Sequence, residues 1–225
     1  MIVASKAHYK NSSKTADTEK AKKQEIIKSL IKSMPEEMKM KFWIKTLLSS
    51  QSTFPEIIKT LDRIIELQAT SLSFASNIYN LENPTLNQIE KVIDLSERKT
   101  HLLNIFIMTK ELTKGLSDLD TDFLEKKYVY NTSVECLAKE FEISPRTVYR
   151  RLDRLIDGIY EKLKKKNWSL LFLESQIKNE SWLKSRFISQ VSDYIKNSNY
   201  TNNKIFISQI NHSQSSSESY LGNSG

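Results

Sequence analysis

Four arginines, Arg146, Arg150, Arg151 and Arg154, fall within one nine-residue stretch. A guanidinium is a planar fork of N–H donors that fits paired acceptors, such as phosphate oxygens, a carboxylate, or N7 and O6 of guanine. Val148, Leu152, Leu155 and Ile159 are interleaved with them at i, i+4, i+7 and i+11. That spacing puts the apolar groups on one side of a helix and leaves the others facing outward. The outward set is Arg146, Thr147, Tyr149, Arg150, Arg151 and Arg154. Its chemistry is recognition by charge and hydrogen bonding, not bond-making. Residues near the start of such a helix reach base edges, and later ones reach backbone phosphate. Arg146, Tyr149 and Arg150 are therefore expected on bases, and Arg151 and Arg154 on phosphates or a protein partner. The run Lys164–Lys166 would add nonspecific attraction.

Other chemistries find little support. His8, His101 and His212 are far apart and show no metal-ligand spacing. Asp118, Asp120 and Asp122 alternate, but without the glycine and terminal Glu of a calcium loop, so they read as acids at a helix start. The four glycines, Gly115, Gly158, Gly222 and Gly225, are too dispersed for a phosphate-cradling loop. The single cysteine, Cys136, excludes a disulfide framework and reads as a small core residue. No enzyme activity, metal, cofactor or small-molecule substrate is expected.

Positioning the arginines requires a helix pair. Ser133 is a natural cap for a short helix over Val134–Glu140, and Ala138 is small enough to let two helices cross closely. Leu137, Phe141 and Ile143 supply the inner face and the plug of the turn. Ser144 caps the second helix, and Pro145 follows at its first position, where its missing N–H is not needed. Thr132 and Ser133 lie where a helix N-terminus can hold a phosphate. This reads as a helix-turn-helix over Thr132–Leu155, with Glu142 at the turn position that usually holds glycine. The cost of that departure is roughly 1 kcal/mol.

The charge is uneven along the 225 residues, whose net value is +7. Residues 146–166 hold eight basic and three acidic side chains, and residues 1–24 hold six and two. Residues 25–145 are net negative, with 15 basic and 18 acidic side chains. Local positive charge of this kind suits a phosphate backbone. Scarce Gly and Pro favour long helices. Apolar positions at helical spacing mark segments 19–34, 35–50 and 52–68, and again 86–114, as one helix or as two joined near Ser96–Thr100. Residues 70–85 read as a connection, Gly115 as a stop, 117–130 as a short helix, and Asn167 as the end of the arginine helix. Two short helices follow, at about 168–177 and 180–197. Phe42, Trp43 and Phe54 sit on apolar stripes and read as core. Residues 1–18 read as a disordered basic arm, and 198–225, with 8 Ser and 5 Asn, as a disordered tail containing the apolar piece Lys204–Ile210. No apolar run approaches the roughly 18 residues of a membrane span, and the start has no secretory signal. A cytoplasmic protein is expected.

The stretch from about Leu116 to Leu163 resembles region 4 of bacterial sigma-70-type factors. The resemblance is carried by Phe123–Tyr128, Leu137-Ala138 and Ser144-Pro145-Arg146-Thr147-Val148-Tyr149-Arg150-Arg151-Leu152. The whole chain is similar in organisation to divergent mycoplasma-type alternative sigma factors and to sigma-like phage transcription regulators. This resemblance implies a bacterial transcription factor that binds double-stranded promoter DNA and acts with the RNA polymerase core. It implies DNA contacts from Ser133, Ser144, Arg146, Thr147, Tyr149, Arg150, Arg151 and Arg154. The acidic Asp-Leu-x-Gln-Glu-like run of a sigma region 2 is missing from the N-terminal part. The resemblance is thus compatible with a sigma factor and with a regulator that recruits polymerase.

The expected fold is all-α. It comprises a basic arm (1–18), a helical domain for polymerase or another partner (19–115), a DNA-binding helix-turn-helix domain (116–166), a helical extension (167–197) and a tail (198–225). Two alternatives remain open. One is a dimeric repressor or activator independent of polymerase; the other is a helical scaffold with no DNA role.

Overall fold

The computed structural model of the chain describes residues 25–78 and 82–201. Every element among them is helical, as the periodicity predicts. The expected arm at 1–18 and the piece Lys204–Ile210 lie outside the described residues, as does the tail beyond Thr201. No helix among the described residues is long and apolar enough to cross a membrane.

Helix α1 covers residues 25–33, and Pro35 separates it from α2 (Glu36–Ser49). Glu36 and Glu37 occupy the first turn of α2, where acids complement the helix dipole. α3 spans Thr53–Ile78 and carries Pro55 in its first turn. α4 spans Glu82–Thr113 as one uninterrupted helix.

One boundary differs from the sequence expectation, and one that the sequence left open is decided. α3 continues through Thr70–Ile78, where a connection was expected, and α4 does not break at Ser96–Thr100. The segment 70–85 is mixed and holds Pro84, which falls in the first turn of α4. The Ser and Thr side chains of Thr70–Ile78 and Ser96–Thr100 carry hydroxyls that can compete for backbone groups. Here those hydroxyls donate back to carbonyls of their own helix. Thr70 Oγ1 bonds Glu66 O (2.7 Å), Ser71 Oγ bonds Gln68 O (2.8 Å), Ser96 Oγ bonds Val92 O (2.8 Å) and Thr100 Oγ1 bonds Ser96 O (3.0 Å). No proline interrupts either stretch.

The burial pattern of α4 also differs. Leu102, Ile105, Met108 and Leu112 are buried, whereas the equally apolar Ile107 is exposed, as are Leu86, Ile89 and Ile93. α3 lies along α4.

Gly115 stops α4 with φ of +83°, a conformation that side chains resist. α5 (Asp118–Leu124) then starts at Ser117, whose Oγ accepts from Asp120 N at 3.2 Å. It runs into a π-helical turn, Glu125–Val129, closed by Tyr130 N donating to Glu125 O. α6 (Val134–Glu140) and α7 (Pro145–Lys165) follow. Asn167 (φ +58°), the stop expected from sequence, lies just beyond the end of α7 at Lys165, with Trp168 N donating back to Leu163 O at 3.0 Å. α8 (Leu170–Ile177) and α9 (Ser181–Thr201) complete the described chain. α9 extends past Ser198, into what composition marked as tail.

The chain divides into two compact units, with boundaries inside α2 and α9. The larger is Trp43–Lys184. Its core includes Ile44, Leu47, Leu48, Phe54, Leu102, Ile105 and Leu112, all almost fully buried. Phe54 meets Phe106 (ring centroids 5.8 Å apart) and, edge-on, Trp182 (5.2 Å). The smaller comprises Met1–Phe42 and Ser185–Gly225, and among its described residues Phe42 packs edge-on to Phe187 (6.4 Å) and Tyr194 (5.4 Å). Phe42, Trp43 and Phe54 are therefore core, as their spacing indicated.

The turn between α6 and α7 places Glu142 at φ +53°. Ile143 N donates to Ala138 O (2.9 Å) and Glu142 N to Lys139 O (3.4 Å). This is the doubly hydrogen-bonded helix stop that normally uses glycine at its left-handed residue. Glu142→Gly should raise unfolding stability by about 1 kcal/mol in denaturant titration, because the left-handed strain is removed. An unchanged or lower midpoint would contradict the strained turn.

Candidate functional site

α6 and α7 are joined by four residues, Phe141–Ser144. Both start at a serine with extended backbone. Ser133 Oγ accepts from Cys136 N at 3.2 Å. Ser144 Oγ accepts from Thr147 N at 3.2 Å and shares a 2.8 Å hydrogen bond with Thr147 Oγ1. The two serines and Thr147, expected as ligand contacts, are thus first of all capping groups; all three are exposed.

α7 buries one continuous stripe: Val148, Leu152, Leu155, Ile156, Ile159 and Leu163. With that side committed, Arg146, Tyr149, Arg150 and Arg154 are exposed. Arg146, Arg150 and Arg154 make no hydrogen bond or ion pair with another described residue. They stand at i, i+4 and i+8, which places them in one row along the helix surface. Tyr149, 58% exposed, flanks that row. The row offers planar guanidinium forks to paired acceptors, beside a ring that can stack or donate from its hydroxyl.

Arg151 does something else. Spacing grouped it with the outward arginines, but it folds back onto α5. Its Nη2 and Nε donate to Asp120 Oδ1 at 2.7 and 3.1 Å, and Nη2 also reaches Leu119 O at 3.4 Å. Its guanidinium lies over the ring of Phe123 (4.4 Å to centroid) and near that of Phe141 (5.5 Å). Phe123 and Phe141 meet edge-to-face at 4.8 Å. The physical reason is local: Arg151 sits at the edge of the apolar stripe, beside two aromatic faces that attract a cation and a carboxylate that fixes it. The Arg151 guanidinium holds the Asp120 carboxyl below its ordinary value, against the opposing effect of burial, with Ser117 assisting.

A second cation closes the other side. Lys126 pairs with Glu140 of α6 and with Asp122 of α5 (3.1 Å), and sits 5.3 Å from the Phe141 ring centre. Glu140, then Asp122, raise the Lys126 ammonium above its ordinary value. Lys127 Nζ donates to Thr132 O at 3.1 Å, holding the chain just before α6, and burial lowers its ammonium. Asp120, Phe123 and Phe141 therefore hold Arg151 of α7 against α5, while Lys126 bridges Asp122 and Glu140 beside them; sequence spacing paired neither Asp120 with Arg151 nor Glu140 with Lys126. Asp120 lies 31 residues from Arg151, beyond any local pattern.

Farther along α7, Lys162 donates to the α4 carbonyl of Glu111 (2.9 Å) and to Lys114 O, and burial lowers its ammonium. Lys166 pairs with Glu111 at 3.2 Å, whereas Lys164 and Lys165 are exposed. Cys136, read from sequence as core, is exposed: it sits one position before Leu137, which takes the buried side of α6. No group of three or more His, Cys, Asp or Glu among the described residues could hold a metal ion.

No protein-family model matches the chain, and neither does any curated protein or solved structure.

The Arg151 clamp should be measurable in stability. Arg151→Met should cost about 1–2 kcal/mol in denaturant unfolding, since it removes the ion pair and the ring contacts together. The Asp120 carboxyl is lowered in the folded state, so its contribution is present above its ordinary value of 3.8 and fades as pH falls below it. The stability gap between wild type and Asp120→Asn should accordingly shrink on acidification from pH 6 to pH 3. A gap that stays constant would show that Asp120 is not held by Arg151.

Proposed function

We propose that the protein is a sequence-specific DNA-binding transcription factor that recognises promoter double helix through α7, as a sigma-like regulator or divergent sigma factor acting with RNA polymerase. The observation that carries the reading is the row Arg146, Arg150, Arg154 with Tyr149 alongside: exposed, paired with no other described residue, and presented on a capped helix whose opposite side is fully buried. α6 and α7 then act as a helix-turn-helix, with α7 in the major groove. Arg146 and Arg150 suit the N7 and O6 pair of guanine, and Arg154 suits phosphate. Arg151 is a positioning residue in this reading, not a DNA ligand, because its donors are held by Asp120 and Leu119. The polymerase part of the proposal rests on the resemblance of residues 116–163 to sigma region 4.

The reading makes a graded prediction. Site selection from random duplexes, followed by binding titrations at several salt concentrations, should return a preferred sequence with a salt-dependent affinity. Arg150→Ala should weaken that site by roughly 1–3 kcal/mol and blur one base position, whereas Lys164→Ala should weaken all sequences about equally. Transcription from the selected site by core polymerase should depend on the protein. Absence of salt-dependent binding would remove the DNA reading; binding to DNA without any effect on core polymerase would leave only a polymerase-independent regulator.

A further inference from the structure

A cleft of about 660 Å³ opens between α4 and the turn from α8 to α9. Small-molecule sites commonly measure about 300–1,000 Å³. Asp94, Glu97, Arg98 and His101 of α4 line it, and so does Glu180 from the turn. None of these residues takes part in the α7 surface.

Glu180 is wholly buried, yet its carboxylate is satisfied on one side only. Oε2 accepts from Trp182 Nε1 at 2.8 Å and from Arg98 Nη2 at 3.3 Å. Oε1 has no hydrogen-bond partner among the described residues, and neither has the buried Nε2 of His101 in the same cleft. A buried acceptor left unmet costs free energy, more so when it belongs to a carboxylate. The carboxylate oxygen is an acceptor, and the imidazole nitrogen is one in the tautomer with its proton on Nδ1; together they would take a donor. Asp94 and Glu97 add negative charge at the cleft, against Arg98 alone among its described bases. Metal ligation is not the chemistry the residues offer, since no qualifying group of three ligands exists among those described. Arg98 already places a guanidinium on Oε2, so the carboxylate accepts this class of donor; its side chain is half exposed and its contact is long.

We propose that this cleft binds a small organic cation bearing at least two N–H donors, a guanidinium or an alkylammonium, with Glu180 Oε1 and His101 Nε2 as its acceptors and Asp94 and Glu97 as flanking charges. His101 accepts in its neutral form with the proton on Nδ1. Glu180 has no exposed surface, so binding requires the half-exposed Arg98 side chain to move outward as the guest enters. Arg98 is thus a resident competitor at the mouth of the site. The chain as a whole carries +7, which disfavours nonspecific uptake of cations.

Calorimetric titration of the full chain with agmatine, putrescine and tetramethylammonium at constant ionic strength tests this. A fourth titration uses an end-capped Gly-Arg-Gly peptide. Agmatine or putrescine should bind saturably, and tetramethylammonium, a cation without N–H donors, should not. Tighter binding of the free cations assigns a small molecule; equal or tighter binding of the peptide assigns an arginine side chain of a protein partner. Glu180→Gln should weaken binding by at least about tenfold. Arg98→Ala, a change at a half-exposed position, should strengthen it by about threefold or more by removing the competitor, and it serves as the test if Glu180→Gln does not fold. The proposal is overturned if neither wild type nor Arg98→Ala binds any N–H cation, or if tetramethylammonium binds equally well. It also fails if folded Glu180→Gln binds unchanged, or if Arg98→Ala leaves the affinity unchanged or lower.

Discussion

The buried stripe of α7 is the constraint on which the larger unit turns. Val148, Leu152, Leu155, Ile156, Ile159 and Leu163 are all at or below 8% exposure. One helix therefore serves two packings: it lies against α6, and farther along against α4. Rotation about its own axis is forbidden by this continuity. Successive residues are separated by about 100° around a helix, so a shift by one position would bury Tyr149 and expose Val148. Which side chains face outward is thus decided by what is buried behind them. The row of Arg146, Arg150 and Arg154 is a consequence of the stripe, not an independent feature.

The stripe sets rotation, but it does not by itself fix the tilt of α7 against α5. That task falls to the aromatic pair Phe123 and Phe141 and to the cations that bracket it. Arg151 ties α7 to α5 through Asp120, and Lys126 ties α5 to α6 through Asp122 and Glu140. Exposed ion pairs taken singly contribute little. Here each cation also rests on an aromatic face, so its charge is partly screened from water and its geometry is restricted. Arginine suits the first position because its fork bonds Asp120 while its plane covers Phe123; an ammonium could do only one of these well.

Much of this was legible in the sequence, and the rest was not for definable reasons. Ser133, Ser144 and Pro145 announced two helix starts because capping is encoded within four residues. The α7 stripe was legible because helical periodicity is local. Arg151 was not, because its partner Asp120 is remote in sequence and position on a helical wheel cannot tell an edge residue that turns inward from one that turns out. The mixed segment 70–85 misled for a similar reason: whether its hydroxyls break a helix or bond back to it, as those of Thr70 and Ser71 do, cannot be told from sequence. Glu180 and His101 were invisible as a pair, because 79 residues separate them and neither belongs to a pattern.

The charge excess of residues 146–166 acquires a different meaning once its members are placed. Arg151 and Lys166 are neutralised by Asp120 and Glu111, and Lys162 is spent on carbonyls near the end of α4. What remains divides between the arginine row near the start of α7 and Lys164 and Lys165 at its end. These two groups are not electrostatically equal. A helix presents partial positive charge at its N-terminus and partial negative charge at its C-terminus. Lys164 and Lys165 therefore offset the field of their own helix, whereas Arg146 and Arg150 add to it. Helix starts usually carry acids that cancel this effect, but the first turn of α7 has none, and its first acid is Asp153. An approaching polyanion would meet its strongest attraction at the end of α7 where the forks can read paired acceptors. The lysine end can contribute only diffuse attraction.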